Sequence, residues 1–272
     1  MTSTLITVAP TGAETAKSDV PALPTTLDEL VAEAKACQAA GATLIHVHAR
    51  DAEDRPSLDP GLLRETVAAL RQETDLIVQL STRGSGHASL EDRLAVIDAA
   101  PDSCSLTCGT VNVGDGVFLN TWPFMVKLFE RAQEAHVVPE FELFDLGHVH
   151  ELRRLIDTCG LPWGEKVHCI FVLGAPWEMP ATVEMLVNGV DSLPPQVTSW
   201  SATGIGRSHL PVAAATLALG GHLRVGMEDS LMYAKGRPVR SNVELVERAA
   251  RLATELQRPP MSPADARKTL GL

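Results

Sequence analysis

Short apolar runs alternate with longer stretches of helical period along the whole chain. Leu5–Pro10, Leu44–Ala49, Asp75–Ser81, Ser103–Thr107, Val137–Leu143, Val167–Leu173, Val197–Ala202 and His222–Met227 read as strands. Apolar positions at three- and four-residue spacing predict helices over Thr26–Ala40, Pro60–Glu73, Ser89–Ala99 and Thr121–Ala135. The same spacing predicts Val149–Thr158, Ala181–Asn188, Leu210–Leu219 and Asn242–Leu256. Thr26 with Glu29 three residues on spells a capping box, and Gly41 ends that first helix. The Pro-rich stretch Gln257–Pro263 reads as tail.

Strand and helix thus alternate through eight units. Alternation implies parallel strands, because each return crossover needs a helix. A doubly wound open sheet satisfies the same pattern. The count of eight and the length of 272 residues favour a single-domain α/β (β/α)8 TIM barrel, which typically takes roughly 250 residues. No linker or low-complexity tract divides the chain.

In such a barrel alternate residues of a strand share a face. Ile45 and Val47 suit the helix layer, which turns His46 and His48 inward at the C-terminal end of the second strand, where barrel active sites are built. A catalytic zinc commonly takes three protein ligands. On the eighth strand Leu223, Val225 and Met227 face out while Arg224, Gly226 and Glu228 face in, so Glu228 supplies the third. Other inward polar residues repeat the theme. Ser81, Thr107 and Glu142 stand at strand ends and read as site lining. Gln79, Ser103, Ser105 and Ser199 lie deeper and read as satisfying one another. The loop Thr203-Gly204-Ile205-Gly206-Arg207 offers backbone N–H groups and a cation to a phosphorylated cofactor, or is simply a tight turn. A second glycine-rich loop runs from Ser81 to Gly86.

Composition narrows this further. Apolar residues make up 45% and charged residues 21%, ordinary for a globular protein. A net charge of −11 argues against duplex nucleic acid or an anionic membrane as partner. There are five cysteines and no CxxC, so a reduced, cytoplasmic chain with buried thiols is expected. No apolar run is long enough to span a bilayer.

The segments ITVAPTGAET, GATLIHVHARD, QLSTRG, SLTCGTVN, PEFELFDLGHV, GIGRSHLP and GGHLRVGMED together make the chain similar to the β-keto acid cleavage enzymes along nearly its whole length. The resemblance implies a zinc barrel that condenses a β-keto acid with acetyl-CoA, releasing acetoacetate and a new acyl-CoA, and it implies a homo-oligomer. It assigns zinc to His46, His48 and Glu228, the base to Asp229 and the base's partner to Arg224. It places Ser81, Gly84 and Thr107 against substrate, and Glu14 at the substrate's far end. Two residues depart from the family pattern. Arg83 stands where glycine is expected, facing CoA phosphate, an anionic tail or solvent. Ser230 stands where asparagine is expected.

Three other readings fit parts of the pattern. A zinc aldolase would need no CoA. An amidohydrolase-type hydrolase would carry its HxH on the first strand and a histidine at the end of the sixth, whereas His168 begins that strand. A metabolite-binding barrel would lack turnover.

Overall fold

The computed structural model describes residues 3–84, 88–176 and 178–272. Eight parallel strands close into a barrel in the order β1-β10-β9-β8-β7-β4-β3-β2. Here β1 is Ile6–Val8, β2 Leu44–Val47, β3 Ile77–Leu80, β4 Ser103–Thr107, β7 Val138–Leu143, β8 Val167–Leu173, β9 Val197–Gly204 and β10 His222–Val225. Closure runs through Thr7 opposite Arg224 and Val8 opposite Val225. The open-sheet alternative is thereby excluded.

The helices form where the pattern placed them, with small shifts at their ends. Helix α1, Leu27–Ala40, starts on the Thr26–Glu29 capping box and stops at Gly41 in the left-handed region. Helix α2, Pro60–Glu73, packs Leu63, Val67 and Leu70 against outward-facing Ile45 and Val47. Burying such side chains contributes roughly 1.5–3 kcal/mol each.

Three elements depart from the expected pattern. An antiparallel hairpin of β5 (Val111–Val113) and β6 (Gly116–Phe118) interrupts the fourth unit, and a second, of β11 (Met232–Ala234) and β12 (Arg237–Pro238), follows the eighth strand. The Pro-rich tail continues into a helix, Pro263–Leu270, capped by the Ser262 hydroxyl. Ala266 and Leu270 of that helix pack on Leu5, Leu44 and Ile77, which stand at the starts of the first three strands, and so close the bottom of the barrel.

The eighth strand is also shorter than expected. It ends at Val225, and residues 226–229 form a turn. Gly226 makes this possible: its φ is +155°, and a Cβ there would lie 1.9 Å from the Ala9 carbonyl oxygen. The turn still aims Glu228 and Asp229 into the barrel mouth. Asn242 anchors it, accepting from the Met227 N–H at 2.8 Å and donating to the Pro10 carbonyl.

The barrel interior carries a buried histidine with a pH consequence. His222 Nδ1 accepts the Leu5 N–H at 3.2 Å. Burial, with His168 and Arg258 nearby, pushes its pKa down to about 3. The unfolded chain therefore takes up a proton below about pH 6.5 that the folded chain excludes down to about 3. This contribution to stability is complete above about pH 6.5 and lost as the pH falls, by about 2 kcal/mol between pH 7 and pH 5. Urea titrations at the two pH values should show that loss in the wild type and less of it in His222→Gln; equal slopes would rule His222 out as the source.

Candidate metal and acid–base site

A cavity of about 340 Å³ opens at the C-terminal end of the barrel. At its floor stand His46 and His48, delivered by β2, and Glu228 and Asp229, delivered by the turn after β10. His46 Nε2 and His48 Nε2 lie 3.3 Å apart. Glu228 places Oε1 3.4 Å from His48 Nε2 and Oε2 3.9 Å from His46 Nε2. Two donors bound at about 2.0–2.1 Å to one tetrahedral ion stand about 3.3 Å apart, so the trio has the spacing of a shared cation. Glu228 Oε2 is buried and has no hydrogen-bond partner among the described residues, which leaves its lone pairs for such an ion. The geometry also needs Gly12, whose φ is +69° and whose Cβ would come within 2.7 Å of Glu228 Cγ.

Arg224, buried on β10, organises the carboxylates. It binds Asp229 with two parallel contacts, Nε to Oδ2 and an Nη to Oδ1, both 3.0 Å, and reaches Glu228 Oε1 at 2.7 Å. The Thr203 hydroxyl donates to Asp229 Oδ2 at 2.9 Å. Burial opposes the charge of Arg224, yet Asp229 and Glu228 hold its pKa well above the usual value. Burial would raise Glu228, but Arg224, His48 and His46 outweigh it and hold that carboxyl well below the ordinary range. Asp229 goes the other way: burial and the neighbouring Glu228 charge raise it despite Arg224. One carboxylate is thus kept as a fixed anion, and its neighbour is the easier to protonate. Glu142, 3.8 Å from Arg224, is raised by burial. Three carboxylates around one guanidinium leave an excess of negative charge in a low-dielectric floor, which a divalent cation would balance.

Behind the floor runs a chain of buried hydrogen bonds. Gln79 donates through Nε2 to Ser103 Oγ and to Glu140 Oε2, each at 3.1 Å, which turns its Oε1 toward His46 Nδ1 at 2.5 Å. His46 therefore carries its proton on Nδ1 and keeps the Nε2 lone pair for the ion. His168, opposite Glu140 on β8, pairs with Glu140 at 3.3 Å and with Ser199 at 2.7 Å. It closes the deep network and does not approach the metal trio, consistent with its place at the strand's start.

The other sequence candidates fall into groups. Ser81, Glu14, Arg83 and Glu142 line the cavity. Thr107 is not among the lining residues; its hydroxyl donates to Glu142 Oε2 at 2.6 Å and fixes that carboxyl. Gly84 lines an adjoining cavity, packed so closely on Leu58 and Ala88 that a Cβ would meet both at 2.8 Å. Ser85 and Gly86, the end of the loop after β3, lie outside the described residues. In the loop after β9, the Gly206 N–H is spent on the Asp229 carbonyl at 2.7 Å and the Ile205 N–H on Leu173. Gly204 is buried and Arg207 exposed. Ser230 Oγ lies 3.0 Å from the Met232 carbonyl, within its own loop.

Three residues that hold the site were not evident from the sequence. Arg50 ties down the loop bearing Glu14 by donating to the Gly12 and Thr15 carbonyls. Thr203 orients Asp229. Arg93 holds the first hairpin, its guanidinium 4.2 Å over the Phe118 ring and bonded to the Leu119 carbonyl. Only Thr203 left a trace, as one more inward hydroxyl on a strand already rich in them.

A profile of the beta-keto acid cleavage enzyme family matches residues 3–272, and thus both site-bearing loops. The chain belongs to that family. The 3-keto-5-aminohexanoate cleavage enzyme of Acetoanaerobium sticklandii is 36% identical over 274 residues, covering 100% of this chain and 99% of the relative. The 3-oxoadipate:acetyl-CoA acetyltransferase of Cupriavidus necator is 35% identical over 273 residues, covering 98% and 94%. In fold, the apo structure of ObcA matches with a TM-score of 0.83 at 20% identity, covering 93% of this chain and 66% of that one. As a β-keto acid cleavage enzyme, the chain catalyses acyl transfer with carbon–carbon cleavage, which removes the reading of it as a non-catalytic binding barrel. No helix among the described residues is long and apolar enough to cross a membrane.

Proposed function

We propose that this cleavage enzyme is zinc-dependent and joins a β-keto acid to acetyl-CoA, yielding acetoacetate and a new acyl-CoA by a retro-Claisen step. The observation that carries the proposal is Asp229, clamped by Arg224 and Thr203 in the same cavity as the His46–His48–Glu228 trio. Zinc suits two imidazoles and one carboxylate with an open position, and when bound it would polarise the keto and carboxylate oxygens of the substrate.

The chain's own groups then account for the rest. Asp229 takes a proton from the methylene between the two carbonyl carbons, and Arg224 holds it in position for that transfer. The enolate carbon attacks the acetyl carbonyl of acetyl-CoA and expels the CoA thiolate. That thiolate attacks the original keto carbon, the bond to the former methylene breaks, and Asp229 returns its proton to complete acetoacetate. Negative charge builds on oxygen at each addition, where the Ser81 hydroxyl is placed to donate. Glu142, held by the Thr107 hydroxyl, lines the same floor. Of the Gly204–Gly206–Arg207 loop, only exposed Arg207 is left for acetyl-CoA in this reading, as a cation for phosphate. The Gly206 N–H is spent on Asp229, and Gly204 is buried. A homo-oligomer is proposed on the resemblance alone, and light scattering tests it. Five free cysteines fit a reducing, cytoplasmic setting.

The test is to supply zinc-loaded protein with acetyl-CoA and a panel of β-keto acids, and to seek acetoacetate and new acyl-CoA species by mass spectrometry. Cleavage that proceeds without acetyl-CoA would favour an aldolase instead. Gln79 adds a check on the metal: Gln79→Leu should weaken zinc binding about 10–100-fold in competition with a chromophoric chelator. Unchanged affinity would deny Gln79 an orienting role.

A further inference from the structure

Away from its charged floor the cavity is mostly apolar, with Thr15 and Asn112 as its uncharged polar lining. Val111, Val113 and Phe118 come from the first hairpin, and Phe144, Val172 and Ile205 from β8 and the segments after β7 and β9. Apart from the floor, its charged lining among the described residues is Glu14 and Arg83, and these are bonded to each other. Arg83 also faces Phe118, 5.4 Å from the ring centroid. With side-chain exposures of 29% for Arg83 and 70% for Glu14, the pair sits at the rim.

We infer that this enzyme selects β-keto acids whose tail beyond the keto carbon is uncharged and apolar, and that the Arg83–Glu14 pair is the element that turns charged tails away. The inference rests on the β-keto acid reading above. The two relatives act, by name, on acids whose tails carry an amine in one case and a second carboxylate in the other. Among the described lining residues beyond the floor, neither charge finds a vacant partner. An ammonium must draw Glu14 away from Arg83, and a carboxylate must draw Arg83 away from Glu14. Either exchange gains one ion pair only by breaking another, so a charged tail draws no net ion pair from the rim. An uncharged tail leaves the pair intact and covers apolar wall, so each added methylene should raise affinity about fourfold while space remains.

The experiment is calorimetric titration of zinc-loaded protein, without acetyl-CoA, using 3-oxohexanoate, 3-oxoheptanoate, 3-oxoadipate and 5-amino-3-oxohexanoate. The two apolar acids should bind about tenfold or more tightly than either charged one. Glu14→Gln, which frees Arg83, should raise affinity for 3-oxoadipate about fivefold and leave the amino acid unimproved. Arg83→Met should do the reverse. Wild-type protein that prefers a charged tail, or single variants that shift neither charged acid, would overturn the inference. Apolar selectivity in binding without acyl transfer on adding acetyl-CoA would sink the reaction while leaving the tail preference standing. If none of the four acids binds, both readings fall.

Discussion

Glu228→Gln is expected to cost the protein its bound zinc and about 10³-fold or more of its acyl-transfer rate. The glutamate is the one anion in the trio, and its Oε2 is buried with no other partner among the described residues. The amide keeps the shape but gives up the charge that balances a divalent ion. The several kcal/mol that a metal supplies to developing oxyanions corresponds to three or more decades in rate. The scaffold should survive, because Arg224 retains its two contacts to Asp229. Elemental analysis after dialysis, set beside turnover, decides the matter. A variant that kept one zinc per chain and wild-type turnover would show that Glu228 is not a ligand.

Asp229→Asn should separate the base from the metal. Its kcat is expected to fall about 10²–10⁴-fold, the span of a lost general base, with zinc content and the KM for acetyl-CoA little changed. Asparagine can still accept from Arg224 Nε and Thr203 through its one amide oxygen, and Arg224 keeps its contact to Glu228, so the turn should hold its shape. What disappears is a carboxylate that burial has made easier to protonate than Glu228 beside it. Loss of zinc in this variant would mean that Asp229 serves the metal instead. Retention of full activity would move the base elsewhere, to another carboxylate of the cavity such as Glu142.

Much of this was legible in the chain. Eight alternations of strand and helix appear because side-chain direction repeats locally, about every 3.6 residues in a helix and every two in a strand. Burial of one face writes that period into the residue pattern. The inward turn of His46 and His48 follows from two-residue alternation against Ile45 and Val47, and their functional position follows from lying at a strand's end. Glu228 was reached by the same alternation although the strand stops at Val225, because the turn at Gly226 happens to preserve the inward direction. Alternation placed Arg224 inward, but its role and Asp229 entered only through resemblance. Their pairing needs the chain to reverse within five residues.

Other features left little local trace. Strands of three residues, such as Val111–Val113 and Gly116–Phe118, are too short to show a period, yet they build the apolar wall of the cavity. Gln79 read as a residue satisfied in the deep interior. It is satisfied there, but its carbonyl oxygen also holds His46, through a registry set only when β2 meets β3. The Arg83–Glu14 pair spans 69 positions and two loops that come together only at the closed mouth of the barrel. The sequence alone therefore determined the barrel and its inward histidines, because these depend on local period and residue type, while the family's chemistry came through resemblance. The tertiary structure decided which polar groups are already spent on one another and which remain for a ligand, because that depends on distances set when the eight strands close.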